Sequence, residues 1–104
     1  IRLSVDQAIP CGLIINELVT NSFRHAFPAG WKGSPEVLVS IRESGGRVEM
    51  VLADNGIGLP ESADLNKTKS LGLSLVPMLV RQLEGTIVLE RSPGTRAIIT
   101  FQVK

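Results

Sequence analysis

The chain has one cysteine, Cys11, and one histidine, His25, in 104 residues. A single thiol forms no internal disulfide, and no second cysteine or histidine cluster supplies a structural metal site. A reducing compartment suits such a chain. Also missing are an apolar run approaching the ~20 residues of a membrane-spanning helix and an opening signal peptide. Charge of one sign is lacking too: eleven basic against ten acidic side chains leave a formal +1. No uniform field therefore draws the chain to a nucleic-acid backbone or an anionic membrane, and neither is expected as a direct partner. A negatively charged ligand must be held by local geometry. There are no internal repeats and no low-complexity tracts. The chain opens on Ile1 without an initiator Met, which suggests a piece of something longer. What is present is an ordinary globular balance, 43% apolar and 20% charged. The length suits one domain with its own core and is too short for two, so residues 1–104 are expected to fold as a single unit.

The pattern along the chain predicts the elements. "RLSV" alternates like a short edge strand, and Ile9-Pro10 resembles a helix entrance, because Pro is tolerated in a first turn. The helix is then expected to run to about Phe27, with Leu13, Ile14, Leu18 and Val19 as its buried stripe. "PAGWKGSP" is a loop. "VLVSIRES" and "RVEMVLAD" are β-branched alternating runs on either side of Gly45-Gly46, a hairpin. "NGIGLPESADLNKTKSLG" is a long polar connection of the kind that is often mobile and functional. "LGLSLVPMLVRQLEG" returns to helical spacing through Leu73, Val76, Val80 and Leu83. There, Pro77 either bends a helix that begins near Ser70 or marks one that begins only a few residues before it. Gly85 is a plausible stop. "TIVLERS" and "RAIITFQV" form a second strand pair turned at Pro93-Gly94. Strands grouped in adjacent pairs predict an α+β two-layer sandwich: a largely antiparallel sheet with helices on one face.

Three stretches carry candidate chemistry. In "NELVTNSFRHAF" (residues 16–27), Glu17, Asn21 and Arg24 or His25 are spaced by three or four residues and share one helix face. For an arbitrary helix this would be a solvated face. The neighbours Leu18, Val19, Ser22 and Phe23 crowd the polar groups closely and favour the rim of a pocket instead. In "DNGIGLP", Asp54 sits where a core strand emerges into a loop. A carboxylate there can simply cap a turn, with Gly56 and Gly58 supplying positive φ. Alternatively it accepts a hydrogen bond from the exocyclic amine of a base and disfavours a base with a carbonyl oxygen in that place. "SLGL" (residues 70–73) opens a helix, whose free N–H groups suit phosphate oxygens; alone it is a weak signal.

In this order, "NELVTNSFRHAF", "DNGIGLP", a loop, "SLGL" and a late "GT" before the last strand resemble the N, G1, G2 and closing motifs of the ATP-binding domain of sensor histidine kinases. That domain belongs to the GHKL superfamily, with its Bergerat fold, shared with DNA gyrase, Hsp90-type chaperones and MutL-type repair ATPases. The resemblance covers nearly the whole chain. It implies that Asn21 binds Mg²⁺, that Asp54 binds the adenine amine with support from Thr95, and that Arg24 and His25 lie near the phosphates. Gly56, Ile57 and Gly58 of the first glycine motif and Ser70, Leu71, Gly72 and Leu73 of the second would line the nucleotide and hinge a lid over residues 59–69. Lys67 and Lys69 of that lid are candidates to reach the phosphates. Glu17 stands where hydrolytic relatives keep a general base; in a kinase it would polarise or orient the accepting histidine.

The resemblance further implies a cytoplasmic catalytic domain that donates the ATP γ-phosphoryl group to a histidine on a separate dimerisation domain, upstream of a response regulator. Nothing in the sequence resembles that dimerisation segment, so the chain alone is expected to bind ATP without completing transfer. Two other readings compete: an ATP-hydrolysing module of the gyrase or chaperone kind, which Glu17 permits, and a nucleotide-free scaffold.

Overall fold

A computed structural model describes residues 2–23, 27, 30, 33–56, 75–90 and 94–104. In chain order these form α1 (Val5–Asn21), β1 (Val37–Ser44), β2 (Arg47–Asp54), α2 (Val76–Gln82), β3 (Thr86–Glu90) and β4 (Thr95–Gln102). The strands make one antiparallel sheet in the order β1-β2-β4-β3. The two hairpins thus join through their second strands.

Side chains alternate across a strand, so one face of this sheet is set by every second residue. Val48, Met50 and Leu52 of β2 and Ala97, Ile99 and Phe101 of β4 point the same way. They form one core with Cys11, Ile14 and Leu18 of α1 and Val76, Leu79, Val80 and Leu83 of α2. Both helices therefore cover one face, the α+β arrangement expected. Each fully buried side chain of this size, such as Met50 or Ile99, contributes about 1.5–3 kcal/mol by leaving water.

The first helix departs from expectation at its start. "RLSV" is not a strand. The Ser4 carbonyl accepts the N–H groups of Gln7 and Ala8 at 3.0 and 2.8 Å, so the helix begins at Val5, and Pro10 lies inside it. Pro10 removes one intrahelical N–H, but its ring is buried. The buried stripe runs through Gln7, Cys11, Ile14 and Leu18, at spacings of four and three, and Leu13 faces outward at 48% exposure. At the other end the regular helix stops at Asn21 and opens into wider π-type winding at Ser22 and Phe23.

The second helix begins one residue before Pro77, the later of the two starts considered, and Pro77 falls in the first turn where its missing N–H costs nothing. Leu73 lies outside the described residues. The helix ends in a Schellman arrangement: Glu84 N–H donates to the Arg81 carbonyl at 2.9 Å and Gly85 N–H to that of Val80 at 3.1 Å. The left-handed residue is Glu84, with φ 54°, rather than Gly85. Gly85 serves close packing, since a Cβ there would collide with the Thr100 carbonyl of β4. The β1–β2 turn is made by Gly45 and Gly46, both at positive φ, and both strands have the residues the alternation predicts.

Candidate functional site

Asp54 is the last residue of β2, opposite Val37 of β1 on one side and Thr95 of β4 on the other. It continues the series Val48, Met50, Leu52, so its side chain leaves the core face at the sheet's end and meets the end of α1. Three donors hold its carboxylate. Oδ1 accepts the backbone N–H of Gly56 at 3.0 Å and that of Thr95 at 3.2 Å, and Oδ2 accepts the Ser22 hydroxyl at 2.8 Å. Thr95 thus reaches Asp54 through its backbone amide. The approach depends on Gly94, which has φ 67°; a Cβ there would run into the Asp54 carbonyl oxygen. The close passage of β4 past β2 is what brings the Thr95 N–H within reach.

Glu17 and Asn21 lie one helical turn apart on α1, both half-buried. Asn21 Nδ2 is the one buried side-chain nitrogen or oxygen among the described residues without a hydrogen-bond partner. An unpaired buried polar group costs about 1–3 kcal/mol, so natural structures keep few of them. An amide in this position fits a Mg²⁺–phosphate group well. Its oxygen is a hard ligand of the kind Mg²⁺ prefers, and its nitrogen is a donor for a phosphate oxygen. Among the described residues no cluster of three or more His, Cys, Asp or Glu is placed to hold a metal ion.

A third group fastens the neighbouring loop. Asn55 Oδ1 accepts the Glu36 N–H at 2.8 Å, its Nδ2 donates to the Ser34 carbonyl at 3.0 Å, and its backbone N–H donates to the Glu36 carbonyl at 3.2 Å. The segment before β1 is thereby fixed against the residue after Asp54.

Of the site residues expected from the sequence, Asp54, Gly56 and Thr95 come together directly, and Asn21 and Glu17 line the same end of α1. Arg24, His25, Ile57, Gly58, Lys67, Lys69, Ser70, Leu71, Gly72 and Leu73 lie outside the described residues. Sequence reasoning named Ser22 only as a neighbour of the polar face, with no role, and passed over Asn55 and the close approach of Gly94. Only Gly94 carried a signal, as the first residue of the late "GT". Cys11, buried in the core, takes no part; burial pushes its thiol above the ordinary range.

Comparison with known proteins agrees with this geometry. Residues 6–104 match the family described as histidine kinase-, DNA gyrase B- and HSP90-like ATPase. The chain is 36% identical to the sensor histidine kinase PdtaS of Mycobacterium tuberculosis over 97% of its own length and 21% of that protein's. It therefore spans about a fifth of that relative. Among solved structures it is similar to the blue-light-activated histidine kinase of Erythrobacter litoralis, with a TM-score of 0.85 and 28% identity, covering 97% of this chain and 32% of that one. The likeness to the histidine kinase AdeS of Acinetobacter baumannii, with a TM-score of 0.67 and 22% identity over 91% of this chain and 45% of that one, shows the fold alone. A sheet-end aspartate held by three donors, an unpaired asparagine at the end of the facing helix and a family match over almost every residue lead to one conclusion: the chain belongs to the histidine kinase-, gyrase B- and HSP90-like ATPases.

Proposed function

We propose that this chain is the catalytic, ATP-binding domain of a larger sensor histidine kinase, and that it presents the γ-phosphoryl group of ATP to a histidine on a separate dimerisation domain. The observation that carries the reading is the Asp54 carboxylate, fixed by Ser22, Gly56 and Thr95 with acceptor capacity left over. Such a group suits the amine of adenine. Asn21 would hold Mg²⁺ through its amide oxygen, and the bound ion would neutralise charge on the phosphates. The domain's own work is then positioning: Asp54 fixes the base, Asn21 fixes the phosphate end, and little covalent chemistry falls to the protein. Arg24, His25 and the 70–73 segment would add phosphate contacts. The acceptor histidine and a response regulator are proposed partners, the cytoplasm is the proposed location, and no direct contact with membrane or nucleic acid is proposed for this domain.

Calorimetric titration with ATP and GTP, each with and without Mg²⁺, tests the reading. Magnesium-dependent binding of ATP with GTP excluded is expected. Asp54→Asn should weaken ATP by roughly 1.5–3 kcal/mol, the worth of a hydrogen bond to a charged group, and unchanged affinity would remove the pocket assignment. Glu17, half-buried one turn from Asn21, supports a second reading as a hydrolase base. Phosphate release that disappears in Glu17→Ala would favour it over transfer.

A further inference from the structure

We propose that Ser22 sets the base preference of the pocket: with Oδ1 of Asp54 already closed by two backbone N–H groups, the serine hydroxyl takes one of the two positions on Oδ2 and leaves a single one, which suits adenine's one amine N–H and denies guanine's two donors the second. This rests on the nucleotide reading above and adds to it a residue that does not touch the reacting atoms.

The argument is one of satisfiability. A carboxylate offers about four acceptor positions, two on each oxygen. On Asp54, Oδ1 already takes two backbone N–H groups, from Gly56 and Thr95, and Oδ2 takes the Ser22 hydroxyl at 2.8 Å. One position on Oδ2 remains. Adenine turns a single amine N–H toward such an acceptor. Guanine presents two adjacent donors, its ring N–H and its 2-amino group, which a carboxylate accepts best with both oxygens. Here Oδ1 is closed by the backbone and Oδ2 is half taken by Ser22. The other polar atom guanine brings, its 6-oxo oxygen, is an acceptor that faces an acceptor. A site whose polar groups are already matched to one edge discriminates against the other by leaving donors unpaired.

The serine reaches this position because of how α1 ends. Its partner is 32 residues away in sequence, and the bond forms where the last regular turn opens into the wider π-type turn at Ser22 and Phe23. Wider turns of this type occur frequently at functional sites. With an ionised partner that only accepts, the hydroxyl hydrogen points to Asp54, so the serine fixes both the rotation of the carboxylate and the direction of its last open position. Ser22 is a positioning residue.

The test compares three triphosphates on the purified wild-type protein and on Ser22→Ala and Ser22→Thr: ATP, GTP and purine riboside triphosphate, which lacks the 6-amine. Thermal melting of each variant checks folding. In Ser22→Ala, ATP is expected to lose about 5- to 10-fold in affinity, within the range of one ordinary hydrogen bond. Purine riboside triphosphate should stay within about twofold of wild type, and the ATP-to-GTP ratio should contract by about tenfold. Ser22→Thr keeps the hydroxyl and should restore both the ATP affinity and the ratio. Equal losses for ATP and purine riboside triphosphate would make Ser22 a plain structural tie and overturn the proposal. So would an unchanged ratio in Ser22→Ala. If the wild-type protein binds ATP and purine riboside triphosphate equally well, Asp54 does not read the amine, and the pocket assignment fails together with the inference.

Discussion

Two amide side chains on α1, Gln7 near its start and Asn21 at its end, meet opposite fates. Gln7 is buried, at 3% exposure, and both its polar atoms are partnered: its Nε2 donates to the Gln102 carbonyl at 2.7 Å and its Oε1 accepts the Lys104 N–H at 3.1 Å. It locks the helix to the end of β4. Asn21 buries its Nδ2 with no partner. The difference separates a structural polar group from the one we propose to be functional on the same helix. The first is satisfied by the fold, and the second, on the proposed reading, is left for the phosphate end of the nucleotide.

Several substitutions would break or sharpen this contrast. Asn21→Ala should lower magnesium-dependent ATP affinity about 100-fold while stability holds, because the fold gains nothing from the unpaired nitrogen. Titration against chemical denaturation separates the two quantities; a large loss of stability with binding intact would erase the distinction. Gly94→Ala at the same end should cost about 2–3 kcal/mol of stability and weaken ATP as well, since its Cβ would push β4 off Asp54 and its φ of 67° disfavours a side chain. Gln7→Leu should do the reverse of Asn21→Ala, costing about 1–2 kcal/mol of stability by stranding a carbonyl and an N–H. ATP affinity measured well below the melting temperature should not change.

The smallest effect is expected at Cys11. Burial raises its thiol, so the folded state favours the protonated form. Its contribution to stability is therefore fully present below the ordinary thiol range and is lost as pH rises through the raised value. Alkylation should accordingly be slower in the native protein than in denaturant at alkaline pH, and equal rates would place the thiol outside the core.

Much of this was legible in the sequence, for physical reasons that differ by element. The β1–β2 hairpin is local: alternation and two glycines at the turn specify it without reference to the rest of the chain, and its strands end at the residues expected. The start of α1 was misread because Pro10 resembles an entrance residue when only its chemistry is considered. Its tolerance inside the helix depends on packing that no local pattern announces. Leu13 was misplaced for a related reason: it and Cys11 are both apolar, and which one faces the sheet is decided by the helix's phase against β2 and β4. At the site, Asp54 and Thr95 stood out through their motifs. Ser22 did not, because a serine in a helix carries no sign of a partner 32 residues further on. The three-bond fastening by Asn55 was hidden in the same way.

The sheet order has a consequence for how the molecule is assembled. Each hairpin closes over a short connection, but β2 and β4 meet only when the chain brings together residues no nearer in sequence than Asp54 and Thr95, 41 positions apart. Closing a long loop is the slow, entropically costly kind of step, whereas hairpins form quickly. The Thr95–Asp54 bond spans that late junction, so the carboxylate acquires its full set of donors only once both halves are joined. A nucleotide bound there would stabilise the completed chain and neither hairpin alone, which makes ligand-induced resistance to unfolding a direct report on whether the two halves have come together.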